Sequence, residues 1–241
     1  ATPFSPGDVE RLARLEVRAI KIASTDLNNT PLLKRAALAG VPLILSTGAS
    51  TEHEITLAVD RLRAWGAGDR LILLHCVSGY PAPLAAANLR AINTLQERFR
   101  VPCGFSDHTQ ATDIAGWAVA AGACVLEKHF TLDQAARGPD HAMSLNPTQL
   151  AAYVSAARAA ERALGSGEIG MSPLEADVRS VARKSVVTAT PIPAGTVCSA
   201  KMLTIKRPGG GIEPDQLDAL IGRKAAADIP ADAVLTWDLV Q

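Results

Sequence analysis

His108 and His129 are the residues of this chain best placed for chemistry, because each follows a strand-like apolar run that turns polar at its end. Val101-Pro-Cys-Gly-Phe105 leads into Ser106-Asp107-His108-Thr109, and Ala123-Cys-Val-Leu126 into Glu127-Lys128-His129. Ala111 to Ala121, between them, is alanine-rich and has helical composition. Strand, helix, strand in that order sets the two imidazoles side by side on the carboxyl edge of a parallel sheet, where α/β enzymes keep their active sites. Two neighbouring imidazoles there read as half of a metal site. The alternative is one structural and one surface histidine, the commoner fate of a lone histidine but not of a pair so placed. Asp107 and Glu127, beside the histidines, are expected to fix the ring tautomers.

The other strand ends carry polar residues too. Lys21 and Ser24 close the first, Ser46-Thr47-Gly48 the second, and Ser78 and Tyr80 follow the third after His75. Four hydroxyls (Ser24, Ser46, Ser78, Ser106) and a lysine on one face could cradle a phosphate or a carboxylate. Each serine taken singly is as good a candidate for a helix cap. Lys21 is harder to explain that way, since an unpaired lysine inside Ile20-Lys-Ile22 is costly to bury. Asp140, in Gly138-Pro-Asp-His141, is either a sugar-hydroxyl partner or a turn cap. His141 reads as structural, His53 as solvated, and the three tryptophans as packing residues.

These side chains need a scaffold, and the chain supplies strand starts roughly every 22 to 30 residues with a helix between each pair. That is the βα rhythm of a parallel sheet with right-handed crossovers. Five such strands are expected. The helix opening at Ser50-Thr-Glu-His-Glu54 carries what reads as an imperfect capping box. After Gly165-Ser-Gly167 the composition shifts. Residues 1–165 are read as one α/β domain, 166–183 as a linker or helix, and 184–241, with its short β-branched runs broken by Pro and Gly, as a small, mostly β domain.

Composition sets further bounds. The 241 residues carry 24 Lys+Arg against 24 Asp+Glu, so no net field recruits nucleic acid or an acidic membrane. Cys76, Cys103 and Cys124 lie in apolar runs and are expected as buried, reduced thiols. No run approaches a membrane span and no signal-peptide pattern opens the chain, so a soluble cytoplasmic protein is expected.

The motifs Lys21-Ile-Ala-Ser24, Leu45-Ser-Thr-Gly48, Leu74-His-Cys76 with Tyr80-Pro-Ala-Pro83, Phe105-Ser-Asp-His-Thr109, Glu127-Lys-His-Phe-Thr131 and Gly138-Pro-Asp-His141 occur in that order. Together they resemble the sialic acid synthase family, the N-acetylneuraminate synthases and their legionaminate, pseudaminate and spore-coat relatives. The tail from Lys184, with Lys206-Arg-Pro-Gly and Ile221-Gly-Arg-Lys, resembles the family's SAF, or antifreeze-like, domain. The resemblance implies a TIM (β/α)8 barrel, here partial with about five of eight strands, followed by that SAF domain. It implies condensation of phosphoenolpyruvate with an N-acylated amino sugar aldehyde, such as N-acetylmannosamine, with release of phosphate. By the same resemblance His108 and His129 would ligate Mn2+ or Mg2+. Lys21, Ser24, Ser46, Ser78 and Ser106 would hold phosphoenolpyruvate, and Tyr80 and Asp140 would face the sugar. Arg207 of the partner subunit would reach the sugar's N-acyl end in a domain-exchanged homodimer.

The resemblance has departures. Family members begin with about three further βα units, which supply the catalytic glutamate, so no catalytic residue is assigned within these 241 residues. Five strands cannot close a barrel and leave two exposed edges. The chain is therefore expected to be a fragment with little or no turnover of its own. Gly210, where the family often has threonine, and Ala49-Ser50 are smaller departures. The rival reading is a non-catalytic binding or interaction protein, a partial barrel acting as platform for the SAF domain.

Overall fold

The apolar runs become strands because they are short, rich in Ile, Leu and Val, and bounded by turn residues. The computed structural model describes all 241 residues. The first unit, Ala1–Gly167, runs α1 (Pro6–Arg14), β1 (Ile20–Ile22), α2 (Thr30–Leu38), β2 (Leu43–Ser46), α3 (Glu52–Ala64), β3 (Leu71–Cys76), α4 (Arg90–Phe99), β4 (Cys103–Asp107), α5 (Ile114–Ala120), β5 (Leu126–Lys128) and α6 (Pro147–Leu164). The second unit, Glu168–Gln241, holds α7 (Ala176–Ala182), β6 (Ser185–Thr188), β7 (Leu203–Lys206) and the short α8 (Leu217–Leu220).

The five strands of the first unit lie in the order β1-β2-β3-β4-β5, every neighbouring pair parallel. This is the expected half-barrel, with β1 and β5 at its edges. Part of the β1 edge is taken up by the N-terminal residues, where Lys21 N–H donates to Ala1 O at 2.9 Å. The strands read as near-continuous apolar runs because their outer face lies under helices. Leu43, Leu45, Leu71, Leu73 and Phe105 pack with Leu32 and Leu33 of α2, Ile55, Val59 and Leu62 of α3, and Ile92 of α4. At Gly104 a side chain would have no room: a Cβ there would run into the Val125 carbonyl and lie 2.7 Å from Leu74 Cδ2.

Helix starts are capped as their sequences dictate. Ser5 caps α1 and Asn29 caps α2. The capping box of α3 is complete rather than imperfect. Thr51, not Ser50, is the N-cap; its side chain accepts from Glu54 N–H while Glu54 Oε2 accepts Thr51 N–H at 2.7 Å. Two further expectations are corrected. Cys124 is exposed, because it precedes edge strand β5 and nothing packs over it there, whereas Cys76, Cys103 and Cys198 are buried; all four thiols are free. Trp65 packs against the core, but Trp117 is 47% and Trp237 44% exposed, the latter ring lying 5.1 Å under the Arg223 guanidinium.

In the second unit β6 and β7 pair antiparallel, and isolated bridges tie Val187 to Val234 and Ile192 to Ile229. Val186, Ile192, Ile212, Leu220 and Leu235 form its core. No helix in the chain is long and apolar enough to cross a membrane.

Candidate functional site

The carboxyl ends of the five strands open onto a cleft of about 490 Å³. Lys21, Ser24, Cys76, Ser78, Tyr80, Ser106, His108, Glu127 and His129 all line it. Lys21 and Ser24 reach it from the end of β1, Ser106 from β4 and Glu127 from β5, and the two histidines from the residues just past β4 and β5. The parallel register brings these together: Ser106 stands opposite Glu127, and Asp107 opposite Lys128. Since side chains alternate across a strand, Ser106 and His108 share a face that Asp107 does not, and Glu127 and His129 share one that Lys128 does not.

One side of the cleft gathers a lysine and serine hydroxyls around Glu127. Ser106 Oγ donates to Glu127 Oε2 at 2.6 Å, and Lys21 Nζ lies 3.2 Å from the same oxygen. Lysine inside Ile20-Lys-Ile22 is thus paired, as its burial demands. Gly48 closes the far wall. Its N–H donates to Ser24 Oγ at 3.0 Å. A Cβ at Gly48 would collide with Ser78 Oγ and approach Cys76 Sγ to 2.8 Å and Ser24 Oγ to 2.9 Å. A glycine is needed where those groups close round the backbone. Ser46 is not among the residues lining the cleft; it is 1% exposed at the end of β2 with its Oγ lacking a hydrogen-bond partner.

The other side carries the histidine pair, with ring centroids 5.2 Å apart and planes inclined at 56°. His108 Nδ1 lies 3.0 Å from Val77 O. A carbonyl can only accept, so Nδ1 carries a proton, which leaves Nε2 to hold the lone pair when the ring is neutral. The Tyr80 ring packs 4.3 Å from that of His108 and 6.0 Å, edge on, from that of His129. His129 Nδ1 stands 3.8 Å from Asp140 Oδ2. Neither Asp107 nor Glu127 bonds an imidazole, contrary to expectation. Glu127 turns to Ser106 and Lys21, and Asp107 faces away, onto Lys128 at 2.9 Å.

The local fields divide these groups. Burial pushes the His108 imidazole down, but the Cys76 thiol, the Val77 carbonyl and the Asp107 charge together lift it above its ordinary value. Burial and the neighbouring His108 push His129 below its own, against the pull of Asp140 and Glu127. Burial would raise the Cys76 thiol, yet hydrogen bonds with His108 and Ser24 hold it low. Burial and the charges at Cys76, Asp140 and Glu127 raise the Tyr80 hydroxyl, which stays a donor near neutral pH. No third His, Cys, Asp or Glu completes a metal cluster with the pair. Two neighbouring imidazoles, neutral when they ligate, could supply two nitrogen ligands to a borderline divalent ion.

The remaining candidates lie elsewhere. His75 is buried, donating from Nε2 to Ala87 O at 2.8 Å and stacking on Phe105 at 5.8 Å. His141 bonds Thr131 Oγ1 at 2.7 Å within its loop, as a structural residue would. Arg207 is exposed in the second unit, just after β7. From sequence Gly48 reads only as part of the second strand end, and Cys76 only as a buried thiol; the position of Cys76 at the end of β3, two residues before Ser78, is the signal that identifies it.

Comparison with known proteins gives the family. Residues 1–169 match the model of the NeuB family, and residues 183–241 that of the SAF domain. Uncharacterized protein MJ1065 of Methanocaldococcus jannaschii is 44% identical, over 99% of this chain and 70% of that protein. The N,N'-diacetyllegionaminic acid synthase of Legionella pneumophila is 36% identical, over 100% of this chain and 68% of that enzyme. The crystal structure of a spore coat polysaccharide biosynthesis protein E from Chromobacterium violaceum superposes with a TM-score of 0.83 at 30% identity, covering 100% of this chain and 72% of that one. The chain belongs to the NeuB family of biosynthetic acid synthases and carries that family's fold together with a SAF domain.

Proposed function

We propose that the cleft serves the condensation of phosphoenolpyruvate with an N-acylated amino sugar aldehyde, such as N-acetylmannosamine, to give a nonulosonic acid and phosphate. The observation that carries this reading is the convergence of Lys21, Ser24, Ser78 and Ser106 on one side of a single cleft with His108 and His129 on the other. In the balanced reaction C3 of phosphoenolpyruvate bonds to the aldehyde carbon, water adds at C2, and phosphate leaves from the resulting tetrahedral centre. Lys21 meets the anionic charge as a point cation, and the hydroxyls of Ser24, Ser78 and Ser106 orient its oxygens. Glu127 holds Lys21 and Ser106 in place before the anion arrives. Ser46, at the end of β2 on the same strand face as Lys21 and Ser106, keeps an unpartnered hydroxyl for the same ligand. His108 and His129 would hold Mn2+ or Mg2+, which when bound supplies Lewis-acid polarisation of the aldehyde oxygen. Tyr80, kept protonated, donates to the sugar and covers the pair, while Asp140 accepts from a sugar hydroxyl and steadies His129. Arg207 is assigned to the N-acyl end in a domain-exchanged dimer of the cytoplasmic enzyme.

The test is calorimetric titration of phosphoenolpyruvate into the chain with and without Mn2+. Binding by the wild type that weakens at least tenfold in Lys21→Met supports the reading. Equal affinity in both, or no binding by the wild type, would sink it.

A further inference from the structure

Asp107 and Lys128 end strands β4 and β5 and stand opposite each other in the register; the next residues are His108 and His129. Their side chains meet beside Tyr153 of α6, with Lys128 Nζ 2.9 Å from Asp107 Oδ2 and only 4% and 0% of the two side chains exposed, and Lys128 also borders the cleft. The same Nζ donates to the Thr109 carbonyl, and Asp107 Oδ1 accepts Thr109 N–H at 2.8 Å. Lys128 therefore grips the residues on both sides of His108 while its own backbone leads directly into His129. Tyr153 of α6 closes the assembly from outside, its ring centroid 5.6 Å from Nζ. A buried ion pair is a weak source of stability, since well-packed apolar residues of similar volume hold two strands as well or better. What this pair adds is direction: a fixed three-point tie, the last cross-link between β4 and β5 before the two imidazoles.

We propose that the buried Lys128–Asp107 pair is a positioning element that sets the separation and aim of His108 and His129 for a divalent ion. This rests on the reading of the histidines as ion ligands, and the test separates the two. Other tethers reach the same loops, with Ala82 N–H donating to His108 O at 2.9 Å and Leu145 N–H to His129 O at 3.0 Å. They hold the loops to their neighbours but not to each other, so they do not replace the brace.

The experiment is Mn2+ titration calorimetry on the full 241-residue chain, well below the melting temperature, with circular dichroism melts alongside. The double variant Asp107→Asn/Lys128→Met removes both charges, leaving neither one stranded. It is expected to fold and to bind Mn2+ about 10- to 100-fold more weakly, the loss usual for a residue that orients metal ligands. Leu62→Ala, a core change on α3, is the control: a lower melting temperature with unchanged Mn2+ affinity. If the double variant does not fold, Asp107→Asn alone, which keeps an oxygen for Thr109 N–H, is judged by the same criterion. A variant that melts lower yet binds Mn2+ within about twofold of wild type overturns the proposal and leaves the pair a purely structural one. Wild-type Mn2+ binding that ignores both His108→Ala and His129→Ala overturns the ligand reading, and the proposal with it.

Discussion

Gly48→Ala tests the anion side of the cleft with a single methyl group. The added carbon would collide with Ser78 Oγ and sit 2.8 Å from Cys76 Sγ and 2.9 Å from Ser24 Oγ, all groups that line the cleft. Relieving those contacts means turning side chains off their present positions, an overpacking cost of about 1–3 kcal/mol. For a chain of this size that corresponds to a fall of about 2–12 °C in melting temperature, at about 2–4 °C per kcal/mol. The larger effect is on ligand. Phosphoenolpyruvate at about one hundred times its Kd stabilises the wild type by about 2.7 kcal/mol, or about 5–11 °C. In Gly48→Ala the methyl occupies the space between the hydroxyls, so that ligand-dependent rise is expected to vanish. Differential scanning fluorimetry with and without phosphoenolpyruvate reads both effects. A variant that melts lower but gains the same ligand shift as wild type would refute the cradle, because the space beside Ser24 and Ser78 would then not be where the anion sits.

Two further predictions concern charge. Glu127→Gln removes the negative charge that Lys21 and Ser106 now face at 3.2 and 2.6 Å. Phosphoenolpyruvate binding at low salt is expected to tighten by about three- to tenfold, with a steeper salt dependence; weaker binding would mean that the hold of Glu127 on Lys21 and Ser106 outweighs the charge the substitution removes. Burial holds His75 below its ordinary value of 6.5, outweighing its bond to Ala87 O. The unfolded chain therefore takes up a proton at this residue that the folded chain refuses, and stability falls as pH drops below about 6.5, by up to about 1.4 kcal/mol per pH unit. His75→Gln, which keeps a donor for Ala87 O, is expected to flatten that slope in urea melts between pH 5 and 7. An unchanged slope would assign it to other groups.

Much of the architecture was legible in the sequence because a βα repeat ties side-chain position to strand position. Once the five apolar runs are strands in parallel order, Lys21, Ser24, Ser106, His108 and His129 must meet at their carboxyl ends. What sequence adjacency does not carry is parity. Asp107 and Glu127 both neighbour a histidine, yet strand alternation turns Asp107 to the opposite face, and length and charge draw Glu127 to Lys21. Asp140 sits on a loop that no periodicity locates, and only the fold brings its carboxylate near His129. The exposure of Cys124 reflects an edge strand, a property of the sheet rather than of the residues around that cysteine.

The central claim is that His108 and His129 hold one divalent ion beside the anion cradle. Pulsed electron paramagnetic resonance of Mn2+ bound to the chain measures it most directly, by the modulation from coordinated imidazole nitrogens. The account predicts two such nitrogens in the wild type and one in each of His108→Ala and His129→Ala. Bound Mn2+ with no imidazole coupling, or with a coupling that neither substitution alters, would contradict it.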